Sequence, residues 1–305
     1  MSAKSELIER LKYLDSAAAL PALIDIGIAS SEHNSVANLL RKGLSIVAFN
    51  ILEDFIKNKA IESLNNISIS GISYSNLPDD LQEYAISGAL ASLNFQSSIL
   101  KKENLDYKLV IQQETQKIAS TIATPFSLSK YSLLSSGSNV VSREVNEFLR
   151  AFGIQNGWLQ LKIISDAIGG GIPDLAQAFN LASQRRHNSA HSASFVYSSS
   201  WLANIKNEII AISASIDIVV SARCRQANRQ PLISLISQSL NDELNFRFLE
   251  LHGSIFKETK TIGGRSRKNW SDLNDAITTL QPLLSNRKEF VIVLDSRRRI
   301  TDWII

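Results

Sequence analysis

The sequence is poor in cysteine, proline and aromatic residues. Its 305 residues include one cysteine, Cys224, six prolines and 7% aromatic side chains. A single cysteine excludes an intramolecular disulfide framework and a cysteine-based zinc ribbon. Six prolines and thirteen glycines exclude a collagen-like or proline-rich chain. A reducing, cytoplasmic setting fits this composition best.

Long uninterrupted apolar runs are also missing. The longest, residues 17–29, contains Pro21 and Asp25 and is shorter than the roughly 20 apolar residues that a membrane span needs. Glu6 and Glu9 lie among the first ten residues, which argues against a secretory signal. We therefore expect a soluble, cytoplasmic protein that does not contact a membrane.

Positive charge is concentrated towards the C-terminus. Residues 222–305 contain 14 Lys or Arg against 9 Asp or Glu, whereas the preceding residues contain 18 against 20. A basic segment is compatible with a polyanion such as RNA, although a solvated surface is the simpler interpretation. Arg297, Arg298 and Arg299 fall in this segment, in a predicted turn, and are candidate phosphate ligands or solvated side chains.

Apolar residues recur mostly with helical spacing. One stripe predicts a long helix over residues 35–65, and consists of Val36, Leu40, Leu44, Val47, Ile51 and Phe55. Pro231 fits the first turn of another helix. Two β-prone runs, 290–294 and 300–305, flank a polar turn and predict a terminal hairpin. We expect a mainly α fold with a helical domain over 1–230 and a small C-terminal α/β extension over 231–305 that ends in the β-hairpin.

One short window combines several residues able to carry chemistry. It contains Arg185, Arg186, His187, Asn188 and His191. On a continuous helix, positions 186 and 191 lie roughly 140° apart. They can share a substrate only if the helix ends between them, and an end near Asn188 would allow this. We therefore expect Arg186 in the last turn and His191 just beyond it, both facing one cleft.

Other interpretations of this window stay open. In one of them, Arg186 only caps carbonyl groups at the C-terminus of its helix, and Asn188 is a helix C-cap rather than a phosphate ligand. His187 and His191 would place two imidazoles on one face of an unbroken helix, but a metal site needs a third ligand. Arg185 would steer RNA or face solvent.

The spacing Arg186-x4-His191 resembles the Arg-x(4–6)-His motif of the HEPN superfamily. His187 follows the arginine and Ala190 precedes the histidine. Segments 40–57 and 141–154 are similar to flanking helices of RiboL-PSP-type HEPN domains. The resemblance covers about residues 35–225 in the right order. Relatives often have Asn after the arginine and Gly after the histidine, where this sequence has His187 and Ser192.

This resemblance implies a HEPN-like helical bundle, usually dimeric, that acts as a metal-independent endoribonuclease without a cofactor. His191 would transfer protons and Arg186 would stabilise the phosphate, with His187 and Asn188 as supporting polar residues. Glu53 would orient the motif or be a solvated or fold-stabilising carboxylate. Implied partners are RNA, a second copy, and an antitoxin or other protein of an antiviral defence system. The alternative is a non-catalytic interaction or dimerisation module of such a system; a DNA-binding or metal-dependent nuclease is a third, weaker one.

Overall fold

The fold is seen in a computed structural model that describes residues 2–27, 29–134, 137 and 139–305. The helices are α1 (Ala3–Ala18), α2 (Ser31–Ser68), α3 (Asp79–Glu83), α4 (Ala89–Lys102), α5 (Tyr107–Ser120), α6 (Ser142–Ala151), α7 (Gly157–Ile168), α8 (Leu175–His191), α9 (Ser199–Arg229) and α10 (Leu273–Arg287). The strands are β1 (Asn245–His252), β2 (Ile255–Thr259), β3 (Lys268–Trp270), β4 (Glu289–Leu294) and β5 (Ile300–Ile304). The predicted mainly α fold with a small C-terminal α/β extension is confirmed.

Helix α2 contains the predicted apolar stripe, but only part of that stripe is buried. Ile51 and Phe55 lie in the core, whereas Val36, Leu40 and Val47 are exposed. The difference arises because α1 covers only the C-terminal half of α2. The two helices are antiparallel: Ala3 donates its N–H to Glu62, and Arg10 pairs with Asp54. The N-terminal half of α2 therefore keeps an apolar face open to solvent.

Among the described residues, α2 is also the one helix whose length and composition would let it cross a membrane. Its apolar window is 44% buried inside the protein. The helix contacts α1, α8 and α9 and buries the charged side chains of Arg41, Glu53 and Lys59. The core helix of a folded bundle passes the same test of length and composition, and α2 has the contacts of such a helix.

Helix α9 is the most deeply buried helix that the structure describes, and a charged pair lies at its centre. The Nζ of Lys59 on α2 lies 2.5 Å from Oδ1 of Asp217 on α9. Asp217 Oδ2 accepts a hydrogen bond from Trp303 Nε1 of β5 at 2.7 Å. Burial alone would lower the pKa of Lys59, but the Asp217 carboxylate raises it above its usual value. Cys224, further along α9, is also buried, and burial raises its pKa to about 11.

The C-terminal strands form one mixed sheet in the order β3-β2-β1-β4-β5. Strands β1 and β4 are parallel and are connected through β2, β3 and α10, and the other neighbours are antiparallel. The predicted hairpin is confirmed as β4 and β5. The sequence prediction omitted β1, β2 and β3.

The helix predicted at Pro231 is wrong. The chain turns there and forms a short 3-10 turn, Leu235–Ser237. The buried guanidinium of Arg223 explains this, because its NH1 donates to the carbonyls of Leu235 and Gln238 at 3.2 and 2.8 Å. These two hydrogen bonds from Arg223 hold the segment against α9 in an irregular conformation.

The sheet packs on the helical bundle through one face. Phe248, Phe290 and Trp303 lie in the same apolar core as the helices. The opposite face, which includes Leu249 and Val291, packs against α10 in a second cluster. The helical residues and the C-terminal α/β residues therefore share an extensive buried contact.

Candidate functional site

Helix α8 carries the motif window and continues without a break to His191. The expected helix end near Asn188 is wrong. Ser189 is buried inside α8, where it bonds to Ser45 of α2 with the two Oγ atoms 2.8 Å apart. The helix instead ends at His191, and the carbonyl of the following residue, Ser192, accepts a hydrogen bond from Lys42 Nζ at 2.7 Å. Contacts with α2 therefore extend α8 through the whole motif.

The unbroken helix places Arg186 and His191 on different sides of α8. Their five-residue separation corresponds to roughly 140° around the axis. Arg186 lies on the same stripe as the buried Ala182 and Ser189. His191 is exposed at the last helical position. The expectation that both side chains of one chain face one cleft is therefore wrong.

Arg186 is partly buried, and its Nε atom is buried without a hydrogen-bond partner. Across the residues that the structure describes, this Nε has no acceptor and the guanidinium forms no ion pair, although the charge of Glu53 acts on it. A buried donor without a partner costs about 1–3 kcal/mol, so native proteins seldom keep one without a reason. Arg186 is thus an unpaired cation, and it does not cap carbonyls of α8.

Glu53 on α2 is the acidic group whose charge interacts with that of Arg186. Its side chain is buried, with 5% exposure, and Oε1 accepts a hydrogen bond from the Val140 N–H at 2.5 Å. Burial raises the pKa of Glu53, and the Val140 hydrogen bond and the charges of Lys57 and Arg186 only partly oppose this. Glu53 is therefore not a solvated carboxylate. Its hydrogen bond to Val140 fixes the segment that leads into α6, and its charge interacts with that of Arg186.

His187 and His191 form an exposed pair on the last turn of α8. Their ring centroids lie 4.7 Å apart with a 48° angle between the ring planes. Asn188 is partly buried beside them, and its carbonyl accepts the Ser192 N–H at 2.9 Å, as in a regular helix. No third carboxylate, thiolate or imidazole completes a metal-binding group within the described ranges.

Of the two alternatives for Arg185, the one in which it faces solvent is wrong. Its side chain is 14% exposed and its NH1 lies 3.8 Å from Oε2 of Glu208 on α9. The guanidinium also lies over the Trp201 ring, 4.6 Å from its centroid. Burial raises the pKa of Glu208, and the charge of Arg185 partly opposes that shift. This arrangement ties α8 to α9 and leaves little of Arg185 for contact with RNA.

The three arginines 297–299 lie in the turn between β4 and β5 and are exposed. Asp295 organises this turn by accepting hydrogen bonds from the N–H groups of Arg297 and Arg299, both at 2.8 Å. Burial alone would raise the pKa of Asp295, but these bonds and the Arg299 side chain hold it below its usual value. Arg298 pairs with Glu250 at 3.5 Å. These arginines belong to the C-terminal sheet and are not part of the α8 window.

Lys42 and Ser45 were not singled out by sequence reasoning. They project from the face of α2 that contacts α8, and they bond to Ser192 and Ser189. Their spacing of three residues places them on one side of α2, which is the available signal. Their partners are about 150 residues away, so the sequence could not show what they bind.

Comparison with known proteins identifies the helical part of the chain. A family model described as RiboL-PSP-HEPN matches residues 5–222. The match extends from α1 into α9, includes Glu53, Arg186 and His191, and ends before the C-terminal sheet. No curated protein and no solved structure was found to match this chain. The resemblance drawn from the motif and its flanking segments is confirmed.

Proposed function

The chain belongs to the RiboL-PSP-HEPN family, and on that premise we propose that it is a metal-independent endoribonuclease. The RNA's own 2′-oxygen would attack the adjacent phosphorus. The bond from phosphorus to the 5′-oxygen would break, and the products would be a 2′,3′-cyclic phosphate and a 5′-hydroxyl. This reaction needs one group to remove the 2′-hydroxyl proton and another to protonate the leaving 5′-oxygen.

The residues at the end of α8 supply suitable groups for this reaction. Imidazole titrates near neutral pH and can serve as base or acid. His191 is exposed on the protein surface, where a substrate can reach it. A guanidinium binds two phosphate oxygens at once and stabilises the negative charge that develops on them. Arg186 would take this role, with His187 and Asn188 as supporting polar groups.

One observation carries this proposal: the guanidinium of Arg186 is partly buried and unpaired in the described part of the chain. The more deeply buried Arg41 has such partners, namely the carbonyls of Tyr197 and Leu23 and the carboxylate of Asp25. An unpaired cation in the helix that also carries the exposed His187 and His191 is a group that a bound phosphate would pair with. The bound phosphate would supply the hydrogen-bond acceptors that Arg186 lacks.

The placement of the motif favours a homodimer as the active unit. Because Arg186 and His191 lie on different sides of one α8, a second motif would let groups from two chains act on the same phosphate. Helix α2 has an apolar face suited to such pairing, since Leu39 is 68% and Val36 51% exposed. A role as a toxin or antiviral effector in the cytoplasm, restrained by an antitoxin or another defence protein, follows from the family resemblance.

The same apolar face supports the alternative function. Exposed Val36, Leu39, Leu40 and Val47 would equally serve a non-catalytic dimerisation or interaction module. In that case the α8 residues would have no effect on RNA. The two functions are separated by whether the biological effect depends on His191.

Induced expression tests the proposal. Wild type, His191→Ala and the control His252→Ala would be compared for growth and for total RNA on a gel. Growth arrest and new RNA fragments with wild type and His252→Ala, both lost in His191→Ala, are expected. Intact RNA with identical growth in all three favours the interaction module. Equal arrest in all three shows that the effect does not depend on His191.

A further inference from the structure

A cavity of about 430 Å³ lies between the helical bundle and the C-terminal sheet. Its walls are residues 169–171, all glycine, after α7; Asn204, Asn207 and Glu208 of α9; and the arginines 297–299 of the β4–β5 turn. Its size is within the range of small-molecule sites. We propose that this cavity, called here the interdomain cavity, binds a phosphorylated nucleotide, either free or as the phosphorylated end of an RNA chain.

The arginine turn gives the cavity uncompensated positive charge. Arg298 and Arg299 each have an acidic partner, Glu250 and Asp295 respectively. Arg297 has no such partner among the residues that the structure describes, although its N–H is bound to Asp295. The turn is therefore fixed by its backbone while the Arg297 guanidinium stays available. A guanidinium binds phosphate through two parallel charge-assisted hydrogen bonds.

The opposite wall is backbone rather than side chain. A Cβ on Gly170 would lie 2.1 Å from Ser165 Oγ, so no side chain is accommodated at this position. Gly171 has a φ of +68°, and a Cβ there would meet nothing within 4 Å. Its N–H bonds to no other group in the described ranges and borders open space. Unpaired backbone N–H groups in such bent segments bind anions.

The α9 wall favours a nucleotide over a bare phosphate. Asn204 and Asn207 are one turn apart on the same face of α9. Asn204 Nδ2 donates to the Ser200 carbonyl at 3.1 Å, whereas the Asn207 amide has no hydrogen bond in the part of the chain described. Glu208 also borders the cavity, with its Oε2 atom buried and facing Arg185 at 3.8 Å. Amide groups pair with the edges of bases, and a carboxylate accepts hydrogen bonds from sugar hydroxyls. These groups offer acceptors and donors for a base and a ribose beside the phosphate site.

The interdomain cavity is separate from the α8 motif. Neither Arg186 nor His191 lines it. Glu208 lies between the two regions, since it borders the cavity and faces Arg185 at 3.8 Å. Nucleotide binding in the cavity therefore does not depend on the proposed RNA cleavage, and each can fail without the other.

Calorimetric titration of the full chain tests the site. The His191→Ala chain would be used so that RNA probes stay uncut, and the ligands would be the four ribonucleoside 5′-monophosphates and the four nucleosides. Saturable binding of at least one monophosphate, with much weaker binding of its nucleoside, is expected. Arg297→Gln should weaken that binding about tenfold. Asn207→Ala should weaken it too, and the exposed control Arg265→Gln should leave it unchanged.

A pair of six-residue oligoribonucleotides, with a 5′-phosphate or a 5′-hydroxyl, distinguishes the source of the ligand. Tighter binding of the 5′-phosphorylated oligonucleotide than of any monophosphate identifies an RNA end, and the reverse order identifies a free nucleotide. The proposal is overturned if none of the monophosphates or the 5′-phosphorylated oligonucleotide binds saturably up to about 5 mM. It is also overturned if Arg297→Gln and Arg265→Gln weaken binding equally.

Discussion

The imidazoles of His187 and His191 lie one turn apart at the end of α8, with their ring centroids 4.7 Å apart. Both are exposed, so either could reach an RNA backbone. The family motif distinguishes them. His191 occupies the histidine position of the motif, whereas His187 is only the polar residue that follows the arginine. Substitutions at the two positions should therefore differ in their effect.

His191→Ala should lower the rate of RNA cleavage by about 10²–10⁴-fold, because a positioned acid or base contributes that much. His187→Ala should lower it by about tenfold or less, as expected for a supporting polar group. Cleavage of a labelled RNA under single-turnover conditions measures both. A loss with His187→Ala that equals or exceeds the loss with His191→Ala would reverse the assigned roles.

Arg186→Met should separate activity from stability. The substitution removes a buried donor without a partner, so the free energy of unfolding should stay the same or rise by up to about 1 kcal/mol. The cleavage rate should fall by about 10²–10³-fold, because the charge on the transition state loses its cation. Urea unfolding and cleavage assays measure the two effects. Unfolding that is easier by several kcal/mol would instead show a structural role for Arg186.

Glu53 should make stability depend on pH in a defined direction. Burial raises its pKa above the usual value near 4.5, so the unfolded chain releases this proton at lower pH than the folded chain does. The stabilisation by the protonated form is therefore complete below pH 4.5 and is lost as pH rises through the folded-state pKa. Glu53→Gln, which can still accept the Val140 N–H, should not show that loss.

The measurement that checks this is the free energy of unfolding of wild type and of Glu53→Gln, compared from pH 4.5 upwards through the folded-state pKa of Glu53. The exposed control Glu32→Gln should show no such difference. If wild type instead gained stability relative to Glu53→Gln as pH rises, the carboxylate would be favoured in the fold, and the dominance of burial would be refuted.

Asp217→Asn should be strongly destabilising, because it leaves the Lys59 ammonium buried without a carboxylate. The loss should be about 3–5 kcal/mol, and Lys59→Met combined with Asp217→Asn should recover part of it. The exposed pair Lys162–Asp166 is the matched control, and Lys162→Met should cost less than about 1 kcal/mol. A double variant as unstable as Asp217→Asn alone would show that the pair is not the cause.

The sequence predicted those elements whose pattern is local. Helix α2 and the terminal hairpin follow from the spacing of apolar residues along short segments. Strand β1 was missed because Arg247 and Glu250 interrupt its apolar pattern while both are buried. Arg247 is neutralised by Glu258 and by Glu289, 2.8 Å away, and both partners lie on other strands.

The motif residues were identified from spacing, but their environment depends on long-range contacts. The end of α8 is determined by Ser45 and Lys42, which lie about 150 residues earlier in the chain. Likewise, nothing local indicates that Arg185 pairs with Glu208 while Arg186 stays unpaired. Chemical type was therefore predictable at the candidate site, whereas side-chain direction and pairing were not.

Cleavage by the purified chain of a 5′-labelled RNA in the presence of a chelator tests the central claim most directly. The account predicts cleavage in the chelator, products with 2′,3′-cyclic phosphate and 5′-hydroxyl ends, and no cleavage where a 2′-deoxynucleotide replaces the nucleotide before the scissile phosphate. Cleavage that needs added metal, leaves 5′-phosphate ends or proceeds at the deoxy-substituted position would contradict it.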